Sequence, residues 1–188
     1  MFDKNLSISS FQTFYISKEE SNCPLISEII RIGKKLKEYE MIENSDKTIM
    51  SLSYGKRLLI NANNTNFVEL KQKDFLEIID YDPVKNVLLT MGPNEPCIDT
   101  SVHWLIHHSR NEVNAIIQVY DIRAGKLVKK VPITDKEHPT GTLEQAKEVL
   151  RCLRDSKIVI IKNQGIVFVG NSVKEVEELL LKTLGELK

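Results

Sequence analysis

Gln118 and Tyr120 are two residues whose types and spacing could do chemistry. They lie in the segment NAIIQVY (114–120), whose apolar composition indicates a buried strand, and alternate residues of a strand point to the same face. An amide and a phenol on one face could line a polar site. Neither is a general base at neutral pH, and both are weaker zinc ligands than imidazole.

A predicted helix before this strand carries a carboxylate and two histidines. Asp99 precedes the segment TSVHWLIHHSR (100–110), where a carboxylate commonly caps free main-chain amides. Proton transfer is the alternative role that we retain for it. His103 and His107 have the spacing of a helical two-histidine metal pair. The usual glutamate of that motif and a third ligand are missing from the neighbouring sequence, so structural roles are favoured.

The elements that must position these residues alternate between helices and hairpins. Helical spacing of apolar residues predicts helices at 24–42, 98–110, 140–156 and 172–188, with Tyr39 and Leu143 on the inward faces of the first and the third. Thr142 and Ser172 are suitable caps for the last two. Turn signals predict a hairpin near Gly55, a second hairpin that turns over 81–86, and strands at 114–120, 125–134 and 157–170.

This pattern predicts an α/β domain with a mixed sheet that is covered by helices on both faces. Residues 1–23 are polar and mixed in character, so they form either a loosely attached arm or an edge strand. We assign residues 24–188 to a single domain, a length that can bury one substantial core.

Composition excludes some partners and favours a reducing compartment. The 188 residues include 26 Lys and Arg and 26 Asp and Glu, and this lack of basic excess argues against a nucleic-acid partner. No apolar run approaches the ~20 residues that span a bilayer, so no membrane association is predicted. The N-terminus shows no secretory signal, and three scattered cysteines suggest reduced thiols, so we expect a cytoplasmic protein.

Four strings along the chain resemble the class II aldolase/adducin family, in the family's order, over residues 25 to about 184. They are EIIRIGKKLKEYEMI, RLLINANNTNFVEL, EPCIDTSVHWLIHHSRNEVNAIIQVY and TGTLEQAKEVLRCLRDSKIVIIKNQGIVFVG. The resemblance implies a three-layer α/β/α fold around a largely antiparallel mixed sheet. It also implies retro-aldol cleavage or epimerisation of a sugar phosphate, with zinc held by three histidines and a glutamate that transfers protons.

Carried over residue by residue, the resemblance places other side chains at every metal-ligand position. The two strand histidines fall on Gln118 and Tyr120, and the turn histidine falls on Gln164. The glutamate falls on Asp99. A turn that binds the substrate's phosphate falls near Asn63 and Asn64.

Two functional hypotheses follow. The first is a pseudoenzyme that has lost the three-histidine zinc site, has no other cofactor, and acts by binding or assembly. The second is a sugar-phosphate aldolase or epimerase with altered ligands, in which Asp99 or Tyr120 moves protons and Asn63, Asn64, Gln118 and Gln164 contact the substrate. The resemblance also implies a homo-oligomer, such as a tetramer, and a small phosphorylated sugar as a ligand.

Overall fold

One eight-stranded mixed sheet forms the centre of the computed structural model, which describes residues 11–42, 44–120 and 131–186. The strand order is β1-β5-β4-β3-β2-β6-β8-β7. Only β1 runs parallel to its neighbour; the other pairs are antiparallel. The strands are β1 (Gln12–Ser17), β2 (Ile49–Tyr54), β3 (Arg57–Asn61), β4 (Phe75–Asp82), β5 (Val87–Met91), β6 (Ala115–Val119), β7 (Ile158–Ile161) and β8 (Gly165–Gly170).

Four helices cover the two faces of the sheet, which confirms the predicted three-layer α/β/α fold. They are α1 (Ile26–Glu38), α2 (Thr100–Ser109), α3 (Leu143–Leu153) and α4 (Val173–Gly185). Apolar residues of α1 and α4 share one core with alternate residues of β6, whereas α2 and α3 pack on the opposite face. Each helix therefore buries one apolar stripe against the sheet.

The alternation along β6 decides where its polar residues point. Ala115, Ile117 and Val119 face α1 and α4, whereas Ile116 faces α2 and α3. Gln118 has the parity of Ile116, so it lies under α2. The strand is buried along its whole length because β2 and β8 flank it and helices cover both of its faces.

Both predicted hairpins and the final strand pair are present. The turn between β2 and β3 uses Gly55 with φ of +60°, the left-handed conformation that glycine adopts without strain. The N-terminal strand β1 is an edge strand, one of the two alternatives for this region. The predicted strand at 125–134 falls partly outside the described residues, and Ile133 makes a single bridge to Ile160.

Helix ends and some inward-facing positions differ from the sequence prediction. The first helix ends at Glu38, and Tyr39, predicted to lie on its apolar stripe, is 47% exposed. Leu143, predicted to face inward, occupies the first turn of α3 and is 38% exposed. Thr142 and Ser172 cap α3 and α4 through their side chains, as predicted. No helix in the described part of the chain is long and apolar enough to cross a membrane.

Candidate functional site

Asp99, Gln118 and Tyr120 form one hydrogen-bonded cluster between the start of α2 and the end of β6. Gln118 Nε2 lies 2.9 Å from Asp99 Oδ1 and 3.3 Å from the Tyr120 hydroxyl oxygen. The Tyr120 hydroxyl donates to Asp99 at 3.1 Å from Oδ2 and 3.3 Å from Oδ1. The sequence prediction that Gln118 and Tyr120 share a face is therefore confirmed, and Asp99 joins them from the facing helix. A side-chain amide of Asn44 donates to the main-chain oxygen of Tyr120 at 3.0 Å and holds the end of the strand.

The predicted capping role of Asp99 is wrong. Asp99 occupies the N-cap position of α2, but its side chain makes no capping hydrogen bond there. Its backbone is already in the helical region, with φ of −71° and ψ of −9°, whereas a capping residue commonly has extended geometry. The carboxyl group instead points to Gln118 and Tyr120 on β6.

Burial dominates the electrostatics of this cluster. It raises the pKa of Asp99, although hydrogen bonds from Gln118 and Tyr120 oppose that shift. It also raises the pKa of Tyr120, and the neighbouring Asp99 raises it further. Burial raises the pKa of the Cys97 thiol to about 12. Burial therefore works against the charged form of each acid in the cluster.

The two histidines of α2 converge on a serine of β2. His103 Nδ1 lies 2.7 Å from Ser51 Oγ, and His107 Nε2 lies 3.0 Å from the same oxygen. His107 Nδ1 lies 3.0 Å from both the Val113 main-chain oxygen and Ser53 Oγ. A metal pair would need both rings to aim lone pairs at one ion, so this arrangement supports the structural role that the sequence favours.

Gln164 lies in a different hydrogen-bond network from Gln118 and Tyr120. Its Oε1 accepts from Gln145 Nε2 at 2.5 Å and from the Thr140 hydroxyl at 3.2 Å. Its Nε2 donates to the main-chain oxygen of His138 at 2.9 Å. This amide therefore connects the turn before β8 to the start of α3.

The turn that carries Gln164 is nevertheless pressed against the end of β6. Gly165 has a φ of +149°, and a Cβ placed on it would lie 2.1 Å from the Val119 main-chain oxygen. No side chain fits at that distance, so the sequence requires glycine at this point. The close approach brings the main chain at Gly165 beside Tyr120, while the Gln164 side chain is directed towards α3.

Asn63 and Asn64, the predicted phosphate-binding residues, lie on an exposed loop after β3. Asn64 has a φ of +55°, and its main-chain N–H donates to Asn63 Oδ1 at 3.0 Å. The buried asparagine of this region is Asn61, whose Oδ1 accepts from the Met50 main-chain N–H at 2.8 Å. Asn61 therefore stabilises the junction between β2 and β3, a role that sequence reasoning missed.

The residues at the predicted ligand positions do not fit a zinc ion. Two are amides and one is a phenol, and the Tyr120 hydroxyl, the Gln118 Nε2 and both polar atoms of the Gln164 amide bond to neighbouring protein groups. Across residues 11–42, 44–120 and 131–186, no group of three His, Cys, Asp or Glu residues is arranged to hold a metal. Amide oxygens and a neutral phenol are poor substitutes for imidazole in a zinc site.

Known proteins that are similar to this chain share its fold. No protein-family profile matches the chain. An L-fuculose phosphate aldolase from Methanocaldococcus jannaschii is 24% identical over 164 residues, which cover 78% of this chain and 84% of that protein. The structure of an L-fuculose 1-phosphate aldolase superposes with a TM-score of 0.73 and 17% identity, over 89% of this chain and 86% of the other. The chain has the class II aldolase fold.

A third comparison widens the range of proteins that share this fold. The N-terminal class II aldolase domain of a Thermoplasma acidophilum protein superposes with a TM-score of 0.64 and 11% identity, over 91% of this chain and 95% of that domain. The resemblance predicted from the sequence strings is therefore confirmed. At these identities, the solved class II aldolase structures establish the fold alone, so the function must be argued from the site.

Sequence reasoning missed the polar groups between β2 and α2. Ser51, Ser53, His103 and His107 form a continuous set of hydrogen bonds inside the core. The available signal was the alternation of serines in the strand IMSLSY opposite two histidines at helical spacing. Because the pairing of β2 with β6 depends on residues far apart in the chain, the sequence pattern alone could not bring these groups together.

Proposed function

We propose that this chain is a class II aldolase-like protein that acts by binding or assembly, without metal-dependent aldol cleavage. The observation that carries the proposal is the cluster of Asp99, Gln118 and Tyr120. In the family resemblance, these positions belong to the proton-transfer residue and two metal ligands. Here their side chains hydrogen-bond to one another, and a cation would have to break the bonds from Gln118 and Tyr120 before it could coordinate the Asp99 carboxyl oxygens.

The charge of the cluster supports the same conclusion. Burial raises the pKa of Asp99 and that of Tyr120, so the site disfavours the ionised oxygens that a cation would bind. Neutral hydroxyl and amide groups suit an oxygen-rich ligand. A small phosphorylated sugar is the ligand class that we propose, because hydroxyl groups can exchange hydrogen bonds with Gln118 and Tyr120.

Metal analysis of the purified protein tests the loss of the zinc site. Protein from zinc-supplemented medium should contain far less than one zinc per chain after dialysis, and Gln164→Ala should not change that content. About one zinc per chain that is lost in Gln164→Ala or Gln118→Ala would refute the proposal. Both amides would then be acting as ligands or as direct supports of ligands.

Thermal-shift measurements test the proposed ligand. A sugar phosphate at ~100 times its Kd should stabilise the native state by roughly 2.7 kcal/mol. The shift should be smaller in Gln118→Met, which keeps the size of the side chain but loses the amide. Inorganic phosphate and the unphosphorylated sugar are the matched controls. The absence of a shift with every sugar phosphate tested would remove this ligand class.

The paired acids favour one alternative function, an aldolase or epimerase with altered ligands. Asp99 and Tyr120 are adjacent, and both have raised pKa values, an arrangement that can hold a proton for transfer. The assay is turnover of a panel of sugar phosphates with and without EDTA. Turnover that Tyr120→Phe abolishes would favour this alternative, and no turnover above a heat-treated control would exclude it for that panel.

Assembly into a homo-oligomer is the second part of the proposal. The edge strand β1 exposes Phe14 and Ile16 by 49% and 56%, and exposed apolar edge strands favour association. Light scattering after size exclusion should give a mass above the monomer's 21.5 kDa, and a clean monomer would contradict this part.

Cys23, Cys97 and Cys152 are free thiols, which suits the proposed cytoplasmic location.

A further inference from the structure

The hydrogen bonds between β2 and α2 form a chain, and at one end of this chain the donor and the acceptor are fixed. The main-chain oxygen of Val113 can only accept a hydrogen bond, and His107 Nδ1 lies 3.0 Å from it. The proton of a neutral His107 must therefore be on Nδ1 for this contact to be favourable. His107 Nε2 then carries a lone pair, and the hydroxyl of Ser51, 3.0 Å away, must donate to it.

The same reasoning carries the polarity from Ser51 to His103. Because the only hydroxyl proton of Ser51 is directed to His107, Ser51 Oγ must accept from His103 Nδ1 at 2.7 Å. His103 is then neutral, with its proton on Nδ1 and a lone pair on Nε2. This lone pair is buried, and His103 Nε2 has no hydrogen-bond donor among the described residues.

The Gln118 amide is the neighbour that can supply the missing donor. Gln118 lies two residues from Ile116, the sheet partner of Ser51, so its side chain projects to the same side of the sheet as Ser51, the serine that contacts His103. When Gln118 Nε2 is directed to Asp99, however, Gln118 Oε1 is also buried without a partner among the described residues. His103 Nε2 and Gln118 Oε1 are then two buried acceptor atoms on neighbouring side chains, and neither accepts a hydrogen bond. Unpaired acceptors in a buried site cost stability.

A half rotation of the Gln118 amide satisfies both atoms. Nε2 then donates to His103, and Oε1 replaces Nε2 beside Asp99 Oδ1. Two oxygens 2.9 Å apart require a proton between them, and only Asp99 can carry it. We propose that Asp99 is protonated in the native protein and donates to Gln118 Oε1, while Gln118 Nε2 donates to a neutral His103.

The titratable neighbours are consistent with this uncharged network. In the described part of the chain, the titratable groups that interact electrostatically or by hydrogen bonds with Asp99 or His103 are Cys97, Tyr120 and His107. None of these groups is a lysine or arginine. Burial raises the pKa of Asp99. Burial and the neighbouring His107 lower the pKa of His103 to about 3, so a proton placed in this network resides on the carboxyl group.

Reversal of the whole chain would allow an ionised Asp99, so it is the arrangement to exclude. His103 would then donate from Nε2 to Gln118 Oε1, and His107 would donate from Nε2 to Ser51. The bare Nδ1 of His107 could then accept from the Ser53 hydroxyl at 3.0 Å, but it would also lie 3.0 Å from the Val113 main-chain oxygen, which would lose its donor and face a second acceptor inside the core. The two arrangements differ in the tautomer of both histidines and in the charge of Asp99.

Nuclear magnetic resonance of the native protein distinguishes them without any variant that must fold. With ¹⁵N-labelled histidine at neutral pH, His103 and His107 should both carry their proton on Nδ1. The Asp99 carboxyl carbon should have the shift of a protonated acid, whereas that of the surface residue Asp82 should have the shift of a carboxylate. Asp99→Asn serves to assign the Asp99 signal. Nε2 protons on both rings, or a carboxylate shift at Asp99, would overturn the proposal.

Gln118→Met provides an independent measurement. The loss of the amide should remove the partner of both His103 and Asp99, so the Asp99 carboxyl signal should change, while His107 keeps its Nδ1 proton. An unchanged Asp99 signal in folded Gln118→Met would also overturn the proposal. The inference goes beyond the proposed function, because it concerns the protons of the cluster and a zinc measurement does not decide it.

Discussion

Mild acid should destabilise this protein because two histidines are buried as neutral rings. Burial and the neighbouring His107 lower the pKa of His103 from 6.5 to about 3, and burial lowers that of His107 from 6.5 to about 4. Below pH 6.5 the unfolded chain therefore takes up protons that the folded chain refuses. The free energy of unfolding must fall as the pH falls through this range.

The expected slope is large enough to measure. At about pH 5.5, each ring binds ~0.9 proton more in the unfolded state, so the two together contribute about 2.5 kcal/mol per pH unit. Asp99 acts in the opposite direction, because its raised pKa lets the folded chain keep a proton that the unfolded chain has lost. This subtracts up to about 1.4 kcal/mol per pH unit, which leaves a net slope of about 1 to 2.5.

Urea denaturation in steps from about pH 7 to about pH 5 measures this slope. His107→Gln should lose about half of the histidine contribution, and Asp99→Asn should make the slope steeper because the opposing proton is gone. His138→Gln, which changes a partly exposed loop histidine outside this network, is the matched control for the substitution. A free energy of unfolding that stays constant across this range would refute the assignment of neutral buried rings.

Three further substitutions, one of them with a matched control, test other parts of the structure by chemical denaturation. Gly165→Ala should cost about 3 kcal/mol or more, since its Cβ would lie 2.1 Å from a main-chain oxygen, whereas Gly55→Ala, with open space around it, should cost only about 1 kcal/mol. Asn61→Ala should cost about 2 to 3 kcal/mol because it leaves a buried main-chain N–H without its acceptor. Arg31 and Lys35 lower the pKa of Glu177 to about 2, so Glu177→Gln should destabilise the protein at neutral pH. That loss should shrink as the pH falls from 4.5 towards 2.

Local signals in the sequence were sufficient for most of the fold. Thr142 and Ser172 could be predicted as helix caps because a hydroxyl directly before an amphipathic segment commonly accepts a hydrogen bond from a main-chain N–H of the first turn. Gly55 and the turn after Asp82 follow from the conformations that those residue types prefer. Tyr39 was predicted to face inward because the helical spacing of apolar residues continues in the sequence beyond Glu38, where the helix ends.

The candidate site was predicted only in part, since its geometry depends on contacts between distant segments. The shared face of Gln118 and Tyr120 follows from strand alternation. The direction of the Asp99 side chain does not, because a carboxylate at a helix start can bond either its own helix or the facing strand. Gln164 was expected near the cluster, and only the position of α3 shows that its amide bonds elsewhere.

The network under α2 also limits what a single substitution to histidine could achieve. Gln118 Nε2 lies 2.9 Å from Asp99 Oδ1, and in the proposed arrangement its amide bonds both Asp99 and His103. An imidazole at that position would have to bond the same two groups before it could bind an ion, and it would have no ligand partners while Tyr120 bonds Asp99. A metal site therefore requires an ionised Asp99, a rearranged Tyr120 and new ligands together. Each change alone would leave a buried polar group unpaired, so a metal site at this position would need all of these changes at once.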